Sequence, residues 1–276
     1  AAAAGLGLAG CSGNKESESA GSDAGSAKAS SQKKAVELQI FAANSLEKAL
    51  PEVQELYTDQ TGTTFADTQF KASGDLVEQM KAGAAVDVLI TASKGTMDDA
   101  ETAELVDTDT REDMFVNDLV IIRAEGSDTK VEAIADVANL DGKIAIGDAK
   151  TVPAGKYANQ ALASVGLYTG TEGDDGEYAP EIADKVALAD KVGTAAAYVS
   201  TGDCVAGFVY SSDIYRYDGI EEAFVCPEDS HKPIVYPGAV AESSEHADEA
   251  KAFIDFCLSN KKAQKIWAKY GFELSE

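Results

Sequence analysis

The chain has 276 residues, 45% of them hydrophobic, and a formal net charge of -25 at neutral pH. That length can bury a proper core in one large domain or two modest ones, whereas the charge repels nucleic acid and anionic membrane surfaces. The same field disfavours a small anion at long range, so an anion site here has to work through close, preorganised donors such as N–H groups at helix starts.

The first residues, AAAAGLGLAGC, read as the end of a truncated apolar signal region running into a lipobox, Leu8-Ala9-Gly10-Cys11. Small residues before Cys11 suit a signal peptidase, and its thiol is expected to carry a diacylglycerol. Residues 12–34 are almost wholly Ser, Gly, Ala and charged. They are too polar to fold and suit a tether that spaces a globule off a membrane. The expected location is therefore extracytoplasmic, lipid-anchored to the cell membrane. No later run approaches the roughly 18 apolar residues of a membrane span.

From residue 35 the chain alternates short apolar runs with helical patterns. Val36, Leu38 and Ile40 alternate with polar residues as a strand entering Phe41-Ala42-Ala43. Leu46, Ala49, Leu50, Val53, Leu56 and Tyr57 then recur at helical spacing, and Asn44 with Glu47 fits a capping box at that helix start. The unit recurs at Ala72-Ser73-Gly74-Asp75, which opens the helix DLVEQMKAG closed by Gly83 ahead of the strand Val86–Ile90. A second set comprises the strand LVIIRA from Leu119, the strand KIAIGD from Lys143 and a helix opened by Pro153 and stopped at Gly166. Pro suits a first helical turn. A helix over about Val192 to Ser200, strands over Val205 to Tyr210 and Pro233 to Ala241, and two terminal helices through KAFIDFCLSN and AQKIWAKY complete the pattern.

This βαβ order implies an α/β fold with parallel sheets flanked by helices, and such sheets bind ligands at the carboxyl ends of their strands. Two sheets are needed, and the final helices have no strand partners nearby in sequence, so they are expected to return to the first lobe. The expected division is 1–34 leader and tether, 35–117 with 228–276 as lobe 1, and 118–227 as lobe 2. The chain would cross near Asn117 and near Pro227, with a small ligand enclosed in the cleft between lobes. Cys204 and Cys226 flank predicted strands and are candidates for a disulfide, while Cys257 lies on the apolar face of its helix as a buried thiol. With only His231 and His246 and no CxxC or HExxH spacing, a His/Cys metal site is not expected.

The segments FAANSLEKAL, FKASGDL, AGAAVDVLITAS, the NDLV run after Phe115, IAIGDAKTVPAGKYA, GFVYSSD, PEDSHKPIVYP and the terminal YGF occur in order from about Val36 to Phe272. In that order and spacing the chain resembles the periplasmic molybdate-binding protein family. The resemblance implies a two-lobe periplasmic-binding-protein-like fold and a role as the solute-binding lipoprotein of an ABC importer for molybdate or tungstate. It further implies a monomer that meets a membrane permease, needs no cofactor and no metal beyond the bound oxyanion, and touches the membrane only through its lipid. Carried over position by position, the ligand-binding residues are Ser45, Ser73, Ala154, Val192 and Tyr210. Two departures stand out: Asn44 replaces the small residue usual before the first serine, and Lys71-Ala72 replaces a small or hydroxyl pair.

The residues support that reading independently, because Ser45, Ser73, Ala154 and Val192 each stand at a predicted helix start, where N–H groups lack intrahelical partners. Taken alone, the same residues also fit simple caps, ordinary first-turn positions and, for Tyr210, a core aromatic. A donor-only site suits a fully ionised dianion, whereas hydrogen phosphate carries a proton that needs an acceptor. Three rivals remain. A sulfate-type or ferric-ion binding protein would share the architecture, the latter with Tyr210, Tyr215, Tyr217 and Tyr236 as phenolate sources, although Tyr215 and Tyr217 read as a surface turn, RYDG. A cell-surface hydrolase would need a nucleophile and base, yet no GxSxG is present and His231 lies in a polar PEDSHK loop, so the chain is not expected to be an enzyme.

Overall fold

A computed structural model describes residues 35–276; the leader, lipobox and tether reading, Cys11 included, lies outside the described residues. The strands are β1 (Glu37–Leu38), β2 (Ile40–Ala43), β3 (Thr64–Phe65), β4 (Gln69–Lys71), β5 (Val88–Ile90), β6 (Glu112–Asn117), β7 (Leu119–Ala124), β8 (Ile144–Gly147), β9 (Val186–Ala189), β10 (Ala206–Tyr210), β11 (Ile220–Val225), β12 (Ile234–Val240) and β13 (Glu273–Leu274). The helices are α1 (Ala49–Thr61), α2 (Ser73–Lys81), α3 (Lys94–Thr102), α4 (Pro153–Ser164), α5 (Pro180–Ala183), α6 (Val192–Ser200), α7 (Ser211–Arg216), α8 (Ala247–Ser259) and α9 (Lys261–Lys269).

Two sheets carry the site. One is ordered β13-β6-β12-β5-β2-β4 and the other β11-β7-β10-β8-β9. Each is built on a parallel trio, β4-β2-β5 in the first and β10-β8-β9 in the second. Antiparallel strands extend each trio: β12 against β5 and β6, and β7 against β10 and β11. The chain passes between sheets from β6 to β7, with Asp118 alone between them, and returns between β11 and β12. The terminal helices return to the first sheet, where the Trp267 ring of α9 lies 4.4 Å from Phe115 of β6. Burying two large aromatics there stabilises the return by several kcal/mol, at roughly 1.5–3 kcal/mol per large side chain.

Local chemistry departs from expectation at three places. The strand expected through Val36–Ala43 is broken at Gln39, whose amide donates to the Asp87 carboxylate at 2.7 Å instead of joining a ladder. Asn44 and Glu47 do not form a capping box, because Asn44 lies inside a 3-10 turn, Asn44–Leu46, and α1 begins only at Ala49. The Asn44 side chain donates to Glu47 instead, at 3.0 Å. Cys204 and Cys226 are free and buried, as is Cys257. Strands β10 and β11 both run antiparallel to β7, so Cys204, before β10, and Cys226, after β11, stand at opposite ends of β7. No disulfide can span that separation.

The start of α4 is pressed onto β8. A methyl group placed on Gly155 would stand 1.9 Å from the Gly147 carbonyl oxygen, whereas one on Gly95 of α3 would meet nothing within 4 Å. Gly155→Ala is therefore expected to cost about 1–3 kcal/mol by overpacking. Thermal unfolding followed by circular dichroism should show a clear loss for Gly155→Ala and little change for Gly95→Ala.

Candidate binding site

Four helical segments begin at the carboxyl ends of parallel strands and face one another across the two sheets. The turn Asn44–Leu46 follows β2 and α2 follows β4 in the first sheet; α4 follows β8 and α6 follows β9 in the second. This is the position at which parallel α/β sheets present ligand-binding groups. Pro153 starts α4 because its fixed φ suits the first turn and its missing N–H removes a donor that would have no intrahelical acceptor. The amides of Ser45, Ser73, Ala154 and Val192 occupy first-turn positions, and none donates to a backbone acceptor elsewhere among the described residues. The starts of α2, α4 and α6 each behave as about half a positive charge, whereas the three-residue turn Asn44–Leu46 contributes only its amides.

All five residues expected at the site are brought together. They are 1–4% exposed, so whatever they contact is shut off from bulk water. A chain of contacts links them in a ring. Ser45 Oγ lies 2.8 Å from the Tyr236 hydroxyl, and the Tyr236 ring is 5.7 Å from that of Tyr210. Tyr210 in turn is 6.5 Å from Tyr157, one turn into α4 beyond Ala154. The Tyr157 hydroxyl donates to Ala92 O at 3.3 Å, and Ala92 N donates to Ser73 Oγ at 3.0 Å. Gly74 N then reaches across to Thr151 O at 3.1 Å, and Gly193 N, next to Val192, reaches Asn44 Oδ1 at 3.2 Å.

The hydrogen bonds constrain the hydroxyl protons. Ser73 Oγ accepts the Ala92 amide, so its own proton is left to donate elsewhere. Asn117 Oδ1 accepts from Ser211 Oγ and Asp118 N, which turns its amide nitrogen toward Ser212 Oγ at 2.8 Å and the Tyr236 hydroxyl at 3.4 Å. The Tyr236 oxygen accepts there and shares a hydrogen bond with Ser45 Oγ at 2.8 Å. The Tyr210 hydroxyl is buried with no partner in hydrogen-bond geometry. An unpartnered buried hydroxyl costs about 1–3 kcal/mol, and the neighbouring hydroxyl that acts on this one is that of Tyr236. Burial raises the Tyr210, Tyr236 and Tyr157 phenols well above the ordinary tyrosine range, which keeps all three as O–H groups at physiological pH.

Several contributors were not expected from sequence. Tyr236 was expected only as one of four candidate phenolates, yet it positions Ser45. Those four tyrosines do not converge: Tyr215 is 63% exposed, and Tyr217, expected on a surface turn, is half-buried with its hydroxyl on Glu47 at 3.3 Å. Tyr157, Ala92, Asn117 and Thr151 also lie outside the expected set, because each acts through a partner distant in sequence. A Tyr inside the otherwise apolar run IVYPGAV was the available signal, since a buried tyrosine hydroxyl seeks a partner. His231 stands edge-on against Tyr157 with ring centroids 6.0 Å apart, and its Nδ1 pairs with Lys232 O. No group of three or more His, Cys, Asp or Glu poised for a metal ion occurs among the described residues.

Two α/β sheets joined by crossing segments, with buried helix starts of one in contact with those of the other, are the arrangement of a solute-binding protein. Residues 38–273 match the model of the bacterial extracellular solute-binding protein family, and the chain belongs to that family. Within it, the chain groups with the molybdate-binding proteins: it is 33% identical over 242 residues to molybdate-binding protein ModA of Escherichia coli, covering 86% of this chain and 89% of that protein. The periplasmic molybdate-binding protein of Azotobacter vinelandii has the same fold at 20% identity, with a TM-score of 0.72 over 87% of this chain and all of that one. So does the sulfate-binding protein SubI of Mycobacterium tuberculosis at 17% identity, with a TM-score of 0.71 over 87% and 88% of the two chains. The fold by itself thus does not select the anion.

The ligand-free consequences are directly measurable. Tyr210→Phe removes a hydroxyl that satisfies nothing, so the melting temperature without ligand is expected to stay level or rise. Tyr236→Phe breaks a buried pair with Ser45 and is expected to lower it by the equivalent of about 1–3 kcal/mol.

Proposed function

We propose that the protein captures molybdate or tungstate outside the cytoplasm and delivers it to the membrane permease of an ABC importer. The observation that carries this reading is the uniform polarity of the site. The hydroxyls of Ser45, Ser73 and Tyr210 stand with first-turn amides that have no backbone acceptor, and Ser73 Oγ, which accepts the Ala92 amide, has its proton to offer. A fully ionised oxyanion only accepts hydrogen bonds and is matched by such a shell; hydrogen phosphate would set its proton against another donor. The ligands are Ser45, Ser73, Ala154, Val192 and Tyr210, two through hydroxyl and amide, two through amide and one through the phenol. Discrimination against sulfate, an equally acceptor-only dianion, rests on cavity size, because a larger cavity leaves sulfate's bonds too long. The molybdate-binding name of the Escherichia coli relative supports the larger anion.

The binding unit works as two lobes, residues 35–117 with 228–276 and residues 118–227, which close over the anion. The protein acts as a monomer without cofactor or catalysis, and Cys11 carries the lipid that holds it at the membrane. The three buried phenols, kept protonated by burial, favour hydrogen-bond donation over the phenolate ligation that a ferric site would need.

Calorimetric titration with molybdate, tungstate, sulfate and phosphate tests the assignment. Tight binding of the first two and none of phosphate is expected; phosphate binding as tight as molybdate would overturn the donor-only argument. Tyr210→Phe should weaken molybdate binding by roughly one to two decades, as for a hydrogen bond to a charged acceptor worth about 1.5–3 kcal/mol. For the anchor, Cys11→Ser in the full chain should move the protein from the membrane fraction to the soluble fraction with its molybdate affinity intact.

A further inference from the structure

Arg216, the last residue of α7, has a side chain only 1% exposed, and none of the roles above uses it. Its Nε donates to Asp213 Oδ1 at 3.1 Å, and a second guanidinium nitrogen lies 2.8 Å from the same oxygen. The other carboxylate oxygen of Asp213 accepts the Tyr210 amide at 2.9 Å. The remaining arm of the fork crosses to the first sheet's segment and donates to the Asn44 carbonyl, with Glu47 Oε1 at 3.4 Å and the Tyr217 ring 4.2 Å from the guanidinium carbon. One buried cation thus ties the backbone of Tyr210, a donor of one lobe, to the backbone of Ser45, a donor of the other.

The peptide between Asn44 and Ser45 explains what this tie accomplishes. In a trans peptide the carbonyl and the following N–H point in opposite directions across one rigid plane. The Asn44 carbonyl accepts both the Glu47 amide of its own 3-10 turn, at 3.1 Å, and the Arg216 guanidinium, so turn and cation together aim the Ser45 N–H the other way. Charge is not the reason for an arginine here, because Asp213 and Glu47 flank it and offset the cation. A planar fork can serve Asp213 and the Asn44 carbonyl at once, which a single ammonium cannot do in the same geometry.

We propose that Arg216 is a positioning residue for the oxyanion site: it locks in place the Ser45 amide, already turned by the Asn44–Leu46 turn, when the lobes are together, so that closure itself completes the donor shell. Asn44 joins the same device, since its side chain takes the Gly193 amide of the opposite lobe while its carbonyl takes Arg216. The inference rests on the oxyanion reading above, and a ligand that both bridges the lobes and meets the oriented amide binds the closed state in preference to the open one.

The test is titration of the purified protein with molybdate, comparing wild type with Arg216→Lys, together with the 1H–15N resonance of Ser45 in the molybdate-saturated state. Arg216→Lys keeps a cation beside Asp213 but loses the fork. Affinity is expected to fall at least tenfold, mainly through faster dissociation, with the Ser45 amide proton shifting upfield while the amides of Ala154 and Val192 stay close to their wild-type positions. Should the lysine variant fail to fold, Asp213→Asn combined with Arg216→Gln removes both buried charges together and is expected to give the same loss and the same selective shift. Wild-type affinity within twofold in a folded variant, or lost affinity with the Ser45 resonance unmoved, overturns the positioning role. Absence of molybdate and tungstate binding by the wild-type protein overturns the functional reading instead.

Discussion

A dianion taken out of water loses its hydration shell, and a protein can replace that shell only with donors already fixed in place and themselves deprived of other partners. Backbone amides at helix starts meet this condition without a lysine or arginine side chain at the ligand. The arrangement of this chain follows from that constraint. Parallel βα units deliver helical segments to one end of each sheet, and the two sheets together bring three helix starts and one 3-10 turn into contact with one another. In the proposed role, neither lobe alone completes the shell, so capture and closure are one event.

The net charge of -25 makes the same point from the opposite side. A site that depended on the field of the whole molecule would be repulsive to anions and would weaken further at low salt. Short-range donors in a region that is 1–4% exposed escape that field, because the local dipoles act where water is excluded and screening is poor. The buried carboxylate Asp213, whose pKa burial raises against the opposing pull of Arg216, is directed at the Tyr210 amide and the guanidinium, away from the hydroxyl donors.

Polar networks behind the donors matter as much as the donors. Tyr236 and Asn117 hold the Ser45 hydroxyl in place, the Ala92 amide leaves the Ser73 proton free to donate, and Arg216 holds the carbonyl on the far side of the Ser45 amide. Partly satisfied networks are costly in a low-dielectric interior. Here the one hydroxyl left orphaned, that of Tyr210, is the group with most to gain from a ligand.

How much of this could be read without coordinates follows the range of the forces involved. Strand and helix identity was legible wherever it depends on near neighbours: LVIIRA is β7 residue for residue, Val192–Ser200 is α6, and Pro153 opens α4, because hydrophobic periodicity and proline geometry act within a few residues. The five residues expected at the site rested on the segment resemblance, since a helix start by itself fits a simple cap equally well. What only the tertiary structure decided was pairing across the two sheets. The capping box expected of Asn44 gave way to a 3-10 turn whose side chain serves Gly193. The disulfide expected of Cys204 and Cys226 was excluded by the common direction of β10 and β11. Tyr236, Asn117 and Arg216 gained their roles from partners roughly 90 to 190 positions away. A local pattern records what a residue prefers, but the partner that satisfies a buried polar group is supplied by whichever distant segment the packing brings alongside.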